Sequence, residues 1–134
     1  MGVQGAHVRR DRLLKSFRLR EFREIVPRPA RRFGERAEVL RKALHLEVGK
    51  KLLRQPELLE ESQSRLKRMQ STMPYAKAYL ERWEDLMAGP IEHVLRVLGA
   101  DDEESKALRH VSPFAGVLSE QERLAVLRRQ GLMR

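Results

Sequence analysis

Few side chains in this chain could perform acid–base or metal chemistry, because it has four histidines and no cysteine. The lack of cysteine excludes disulfides, thiolate metal sites and cysteine nucleophiles. His45 lies near the apolar face of a predicted helix, and Glu47 is too close along the chain to share that face. We predict that His93 points away from the apolar stripe of its helix and that His110 caps a helix end. We therefore expect a non-enzymatic protein with no catalytic residue, metal site or cofactor.

Signatures of other catalytic or nucleotide sites are also missing. No glycine-rich segment follows a predicted strand, so the phosphate-loop and dinucleotide patterns are absent. The most unusual local sequence is SPFAGVLS, at residues 112–119, and its two serines lack the setting of a nucleophile elbow. Two interpretations of it stay open. Either the loop plugs the end of the fold with Phe114, Val117 and Leu118, or these residues dock a partner, since exposed apolar loops mark interfaces.

Positive charge is concentrated at the N-terminus. The chain has 28 Lys and Arg against 19 Asp and Glu, and residues 1–34 hold 10 of the basic and 3 of the acidic residues. Three interpretations of residues 1–34 stay open. They are a basic arm that binds the phosphates of a nucleic acid, an inert or wrongly included extension, or a segment that binds a partner or a membrane surface. For the first alternative the candidate DNA- or RNA-binding residues are Arg9, Arg10, Arg12, Arg18, Arg20, Arg23, Arg28, Arg31 and Arg32.

The apolar runs of the chain are short. None approaches the roughly 18 residues that a membrane-spanning helix needs. The N-terminus also lacks the apolar centre of a secretory signal. We therefore expect no membrane span and a cytoplasmic protein.

The stretch from Pro74 to Leu98 is predicted to form the centre of the fold as two amphipathic helices. Steps of three and four place one set of apolar residues on a single face of the first helix: Tyr75, Ala76, Tyr79, Leu80, Trp83, Leu86 and Met87. Gly89 is predicted to end this helix in the left-handed conformation, and Pro90 to open the next one. The only Trp and both Tyr residues lie in the first helix, which makes it the expected nucleus of the core.

Further helices follow from apolar periodicity and from start and stop signals. They are predicted at residues 11–26, 35–54, 56–69, 101–110 and 119–129. Capping-box spacing starts the last two, with Asp101 before Glu104 and Ser119 before Glu122. Gly49 weakens its helix, which indicates the close approach of a neighbouring helix or a local bend.

The predicted fold class is all-α, because no period-two run and no hairpin signal occurs. We expect a compact bundle of five or six short helices at residues 35–134, preceded by a basic, partly disordered arm at residues 1–34. Pro27 and Pro29 separate the arm's short helix from the bundle. The domain boundary is accordingly placed near Gly34.

Three segments of the bundle resemble small helical bacterial proteins of toxin–antitoxin or phage-defence gene pairs. They are LRKALHLEVGKKLLRQPELL at 40–59, ERWEDLMAGPIEHVLRVL at 81–98 and LRHVSPFAGVLSEQER at 108–123. The resemblance covers residues 40–123, excludes the arm and implies a non-enzymatic, antitoxin-like partner protein with no catalytic residues. We predict that it binds a protein through Trp83, Phe114, Val117 and Leu118, with nucleic-acid binding by the arm as the alternative. Its oligomeric state stays open.

Overall fold

The computed structural model describes Phe22, Ile25 and residues 35–132 of the 134-residue chain. These residues form six α-helices: α1 Arg36–Arg54, α2 Leu58–Thr72, α3 Lys77–Ala88, α4 Ile91–Gly99, α5 Glu103–His110 and α6 Glu120–Arg129. A short 3-10 turn, Pro74–Ala76, leads into α3. No strand occurs in the described part of the chain, and the predicted all-α class is confirmed.

The helices pack around one core, to which every helix contributes. α1 contacts α4, α5 and α6, whereas α2 contacts α3 and α3 lies against α4 and α5. The largest fully buried apolar side chains come from α1, α3, α4 and α5 and from Phe22: Phe22, Leu46, Leu52, Leu80, Trp83, Leu95, Leu98 and Leu108. Trp83 has no exposed surface, so the helix that contains it is part of the core as expected.

Side-chain caps begin the last two helices. Before α6, Ser119 accepts a hydrogen bond from the Glu122 amide at 3.1 Å, and Glu122 accepts one from the Ser119 amide at 2.7 Å, which confirms the predicted capping box. Before α5, the cap is Asp102, which accepts bonds from the amide and hydroxyl of Ser105. The capping box predicted at Asp101 is therefore wrong by one residue. Burial opposes ionisation of Asp102, but the Ser105 bonds outweigh it and lower the pKa of this carboxyl.

The corner between α3 and α4 differs from the prediction. Gly89 has a φ of −98° and an extended ψ, so it does not adopt the left-handed conformation. Pro90 is also extended and caps α4, which begins at Ile91. The two consecutive extended residues redirect the chain, and a left-handed closure is not needed. Among the described glycines, Gly116 and Gly131 have positive φ.

Gly49 marks a close approach in the middle of α1, and the neighbour is Phe22. A Cβ atom at Gly49 would overlap the Phe22 Cζ atom and lie 3.1 Å from a methyl of Leu95. Phe22 is fully buried, and Ile25 is partly buried against the same core. The bundle thus incorporates two residues that precede the boundary predicted near Gly34.

Candidate functional site

Three of the four predicted partner-binding side chains lie in the core. Trp83, Phe114 and Val117 are buried, and Leu118 is partly buried. The rings of Trp83 and Phe114 meet edge to face with centroids 5.2 Å apart. Trp83 also donates a 2.9 Å hydrogen bond from Nε1 to the carbonyl oxygen of Leu108. Because these rings have almost no exposed surface, a partner that binds this conformation must contact other residues.

The SPFAGVLS loop folds tightly over the core. The Phe114 amide donates to the Ser112 hydroxyl at 3.2 Å, and the Val117 amide donates to the Phe114 carbonyl at 3.1 Å. Gly116 has a φ of +88°, a conformation that favours glycine, and a Cβ there would lie 2.9 Å from the guanidinium of Arg65. This geometry agrees with a loop that plugs the fold.

The arginines predicted to bind nucleic acid lie outside the described residues. They are Arg9, Arg10, Arg12, Arg18, Arg20, Arg23, Arg28, Arg31 and Arg32. Binding of DNA or RNA through them stays a prediction. The described residue nearest to them in sequence is Phe22, between Arg20 and Arg23, and its ring is anchored in the core.

The large hydrophobic side chains that are exposed in the described part of the chain are Tyr75 and Tyr79, at 82% and 44%. The prediction that both lie on the buried face of the Trp83 helix is wrong. Ala76, Leu80 and Trp83 occupy that face. Each tyrosine precedes one of these residues by one position, which rotates it by about 100° around the helix axis. Steps of four and three from Ala76 lead to Leu80 and Trp83, and this series leaves both tyrosines off the core face.

We call the two exposed tyrosines the tyrosine pair: Tyr75 lies in the 3-10 turn before α3, and Tyr79 lies in the first turn of α3. Residues four apart lie on adjacent turns of a helix, and the 3-10 turn that carries Tyr75 runs directly into α3. The charges nearby have both signs: Lys77 and Glu81 form an exposed pair at 3.9 Å. The tyrosine pair therefore presents two amphipathic rings on a surface that carries both a positive and a negative side chain.

A group of charged residues joins α1 to α5 around one carboxylate. Glu38 lies 3.0 Å from Arg41, 3.3 Å from Nε2 of His110 and 3.5 Å from Arg109. Arg41 also lies 3.2 Å from the same His110 nitrogen. As predicted, His110 occupies the end of its helix. Within this group Glu38 is one carboxylate against the two guanidinium groups of Arg41 and Arg109, and its ion pairs link α1 to α5.

Arg109 is a buried residue that the sequence analysis missed. Its guanidinium donates hydrogen bonds to the carbonyl oxygens of Val97 at 2.8 Å and Ala100 at 2.6 Å. Burial lowers the pKa of Arg109, an effect that Glu38 opposes. Nothing in its local sequence distinguishes this arginine from the exposed ones, since its acceptors are backbone groups of another helix.

A cavity of about 250 Å³ lies between α1, the end of α5 and the SPFAGVLS loop. Its apolar lining includes Leu44, Val48, Phe114 and Leu118, and its polar lining includes His45, Ser112 and Arg123. His45 is almost fully buried, and its Nδ1 lies 2.7 Å from the Arg41 carbonyl oxygen. A carbonyl only accepts, so Nδ1 carries the proton and Nε2 is an acceptor.

The environment of His45 limits its chemistry. Burial lowers the pKa of His45 to about 4. The ring is therefore neutral at pH 7 and can accept a hydrogen bond, but it is a weak base and carries no proton to donate from Nε2. This behaviour is that of a satisfied core histidine beside a small cavity.

His93 is buried in α4 although its helical position lies opposite the Ile91–Leu95 stripe. α4 is enclosed by α1, α3 and α5, so few positions on this nine-residue helix reach solvent. Across the described residues, no three His, Asp or Glu side chains form a group that could hold a metal ion.

Comparison with protein-family models, with curated proteins and with solved structures finds no match to this chain. Among the helices described, none combines the length and the apolar composition that crossing a membrane requires.

Proposed function

We propose that this chain is a non-enzymatic protein-binding module that contacts its partner through the tyrosine pair. The exposure of Tyr75 and Tyr79 carries this proposal. A tyrosine ring buries a large apolar area with little loss of side-chain entropy, and its hydroxyl can keep a hydrogen bond at the interface. Tyrosine is also enriched in protein interfaces over the rest of the surface.

The start of α3 supports this role because it presents the rings from a fixed base. Ala76, Leu80 and Trp83 pack α3 into the core on the neighbouring face. A partner would therefore meet two rings on a helix that is already folded, which limits the conformational entropy lost on binding. The Trp83 helix keeps the interaction role expected for it, but through different residues.

The partner we propose is a protein encoded beside this one. This rests on the resemblance of residues 40–123 to small helical proteins of bacterial two-gene modules, in which the chain would be the antitoxin-like member. Mixed charge around the tyrosine pair favours a protein over a nucleic acid as the ligand of this surface.

Capture of partners by the full chain tests the proposal. Tagged chain is exposed to host lysate after nuclease treatment and compared with a Tyr75→Ser/Tyr79→Ser variant. The control is Glu60→Ser/Lys67→Ser, which changes two exposed α2 residues and keeps the net charge. We expect one stoichiometric protein with the unmodified chain and the control, and at least a tenfold loss with the tyrosine variant. Circular dichroism verifies that all three chains are equally helical.

Two outcomes would contradict the proposal. Equal capture by the tyrosine variant would show that another surface binds the partner. Recovery that depends on intact nucleic acid and weakens steeply with salt would favour the alternative function, phosphate binding by the basic residues within 1–34.

A further inference from the structure

Two glycines shape a slot between α1 and α4. Gly49 lies in the middle of α1 and Gly99 ends α4, and both are buried. A Cβ at Gly49 would lie 2.6 Å from Cε1 of Phe22, and one at Gly99 would lie 3.5 Å from its Cδ2. Glycine is unfavourable inside a helix, so its presence at position 49, in the middle of α1, indicates that the room is needed there. We call the space between them the Gly49–Gly99 slot.

The described residues that occupy the slot are Phe22 and Ile25 of the N-terminal segment. The Ile25 amide donates a 3.2 Å hydrogen bond to the Phe22 carbonyl. The Phe22 ring fills the slot, and Cδ1 of Ile25 lies 3.0 Å from the position of a Cβ on Gly99. The slot thus contacts an aromatic residue and a branched aliphatic residue three positions later. We call this pair, with its hydrogen bond, the Phe-x-x-Ile turn.

This turn is a separate element from α1. Nine residues separate Ile25 from Glu35, and they include Pro27 and Pro29. Proline disfavours helix in the residue before it and has no amide to donate, so this sequence does not favour one continuous helix from Phe22 to α1. Phe22 and Ile25 are the two apolar residues by which this segment contacts the slot.

We propose that the Gly49–Gly99 slot is a binding site for a Phe-x-x-Ile turn and that the chain's own N-terminal segment is its ligand, bound within the same molecule. The recognition is steric, because the two missing side chains admit an aromatic ring. The inference is independent of the tyrosine pair, since it concerns α1 and α4. It follows that the segment should bind an emptied slot when it is supplied as a separate peptide.

The test uses the full chain with Phe22→Ala, which empties the slot. A synthetic peptide of residues 15–29 is added. The control is a second peptide of the same length and charge that carries Phe22→Ala. Calorimetry and thermal melting then measure binding. We expect saturable one-to-one binding that raises the melting temperature, and affinity at least tenfold weaker for the matched peptide. Equal binding of both peptides would indicate charge attraction alone, and absence of binding to the folded variant would also overturn the proposal.

A change in the slot itself provides the control on the receptor side. Gly49→Val in the Phe22→Ala chain puts a side chain into the slot, so the peptide should no longer bind. Ala88→Val places the same valine side chain at an exposed position of α3 and should leave binding unchanged. Peptide binding that survives Gly49→Val would place the site elsewhere.

A second measurement applies if the Phe22→Ala chain does not fold. Phe22→Leu removes the ring atoms that lie against Gly49 but keeps an apolar side chain. Gly49→Ala should lower the melting temperature of the unmodified chain, where the new methyl meets the ring, and raise it in the Phe22→Leu chain, where helix propensity dominates. The same sign in both chains would contradict a slot shaped for the ring.

Discussion

The guanidinium of Arg109, in α5, donates a 2.8 Å hydrogen bond to the carbonyl oxygen of Val97, in the last turn of α4. A second bond of 2.6 Å reaches Ala100, the residue that follows this helix. The last carbonyls of a helix have no partner within it and carry partial negative charge. Arg109 satisfies them from another helix, and Glu38 of α1 lies 3.5 Å from the same guanidinium. One side chain therefore connects three helices.

Replacing Arg109 should destabilise the fold. Arg109→Leu leaves the carbonyls of Val97 and Ala100 without their donor, which should lower the free energy of unfolding by about 2–4 kcal/mol. Urea denaturation measures the change. Arg128→Leu, at an exposed position of α6, is the control and should change stability by less than about 0.5 kcal/mol. Equal effects of the two substitutions would show that the buried bonds contribute little.

Phe114 should behave as a core residue when it is substituted. Phe114→Ala removes a buried ring that packs against Trp83 and should cost about 3–5 kcal/mol. Phe114→Asp should unfold the chain, since the charge would have no partner in the core. Leu118→Ala, at a partly buried position of the same loop, should cost less. Thermal melting followed by circular dichroism decides, and a Phe114→Asp chain that melts normally would contradict the packing.

The parts of the fold that could be predicted are those determined by neighbours in sequence. The Ser119 capping box was readable because both of its hydrogen bonds span three residues. The helix periods likewise depend on steps of three and four. The cap of α5 shows the limit of such signals, since Asp101 and Asp102 are adjacent and only the backbone geometry selects the second.

The parts that could not be predicted depend on contacts between distant residues. Phe22 reads as one apolar residue in a basic arm, but its ring lies against Gly49, 27 positions later. The local sequence of Arg109 predicts a surface arginine, because it gives no sign of the acceptors that another helix supplies. Grouping aromatic residues with the apolar stripe predicts that the tyrosine pair lies in the core, whereas the fold leaves Tyr75 and Tyr79 in solvent.

Stability should fall in mild acid because of His45. Burial lowers its pKa from 6.5 to about 4, so between these values the unfolded chain binds a proton that the folded chain does not. The contribution is complete above pH 6.5 and is lost as the pH falls towards 4, by up to about 3 kcal/mol. Urea denaturation from pH 4 to 7.5 measures it. His45→Gln should flatten this dependence, and Leu59→Ala, at a partly buried position of α2 outside the cavity, should keep it. An unchanged slope in the glutamine variant would assign the effect to other groups.

Glu122 should also make the free energy of unfolding depend on pH, in a lower pH range than His45 does. Its Oε1 lies 2.6 Å from Nζ of Lys51, and this bond, with that from Ser119, lowers its pKa to about 2. The stabilisation is complete above the ordinary pKa of 4.5 and is lost as the pH falls from there towards 2. Glu122→Gln should cost about 1 kcal/mol at pH 7, measured by urea denaturation, and should reduce the acid loss. Glu81→Gln, in the exposed pair with Lys77, is the control; an equal cost there would remove any special role of the cap.

Removing residues 1–34 should weaken the bundle, because the fragment 35–134 lacks Phe22 and Ile25. Loss of a buried phenylalanine costs about 3–5 kcal/mol, a large share of the roughly 5–15 kcal/mol that holds a domain folded. Phe22→Ala in the full chain should reproduce most of this loss, and Phe22→Leu should cost less because the leucine refills part of the slot. Urea denaturation of the four chains measures the order. A fragment as stable as the full chain would mean that the Phe22 ring adds nothing to the core. Such a fragment could then be used in the capture experiment to test whether the partner binds residues 35–134 without the arm.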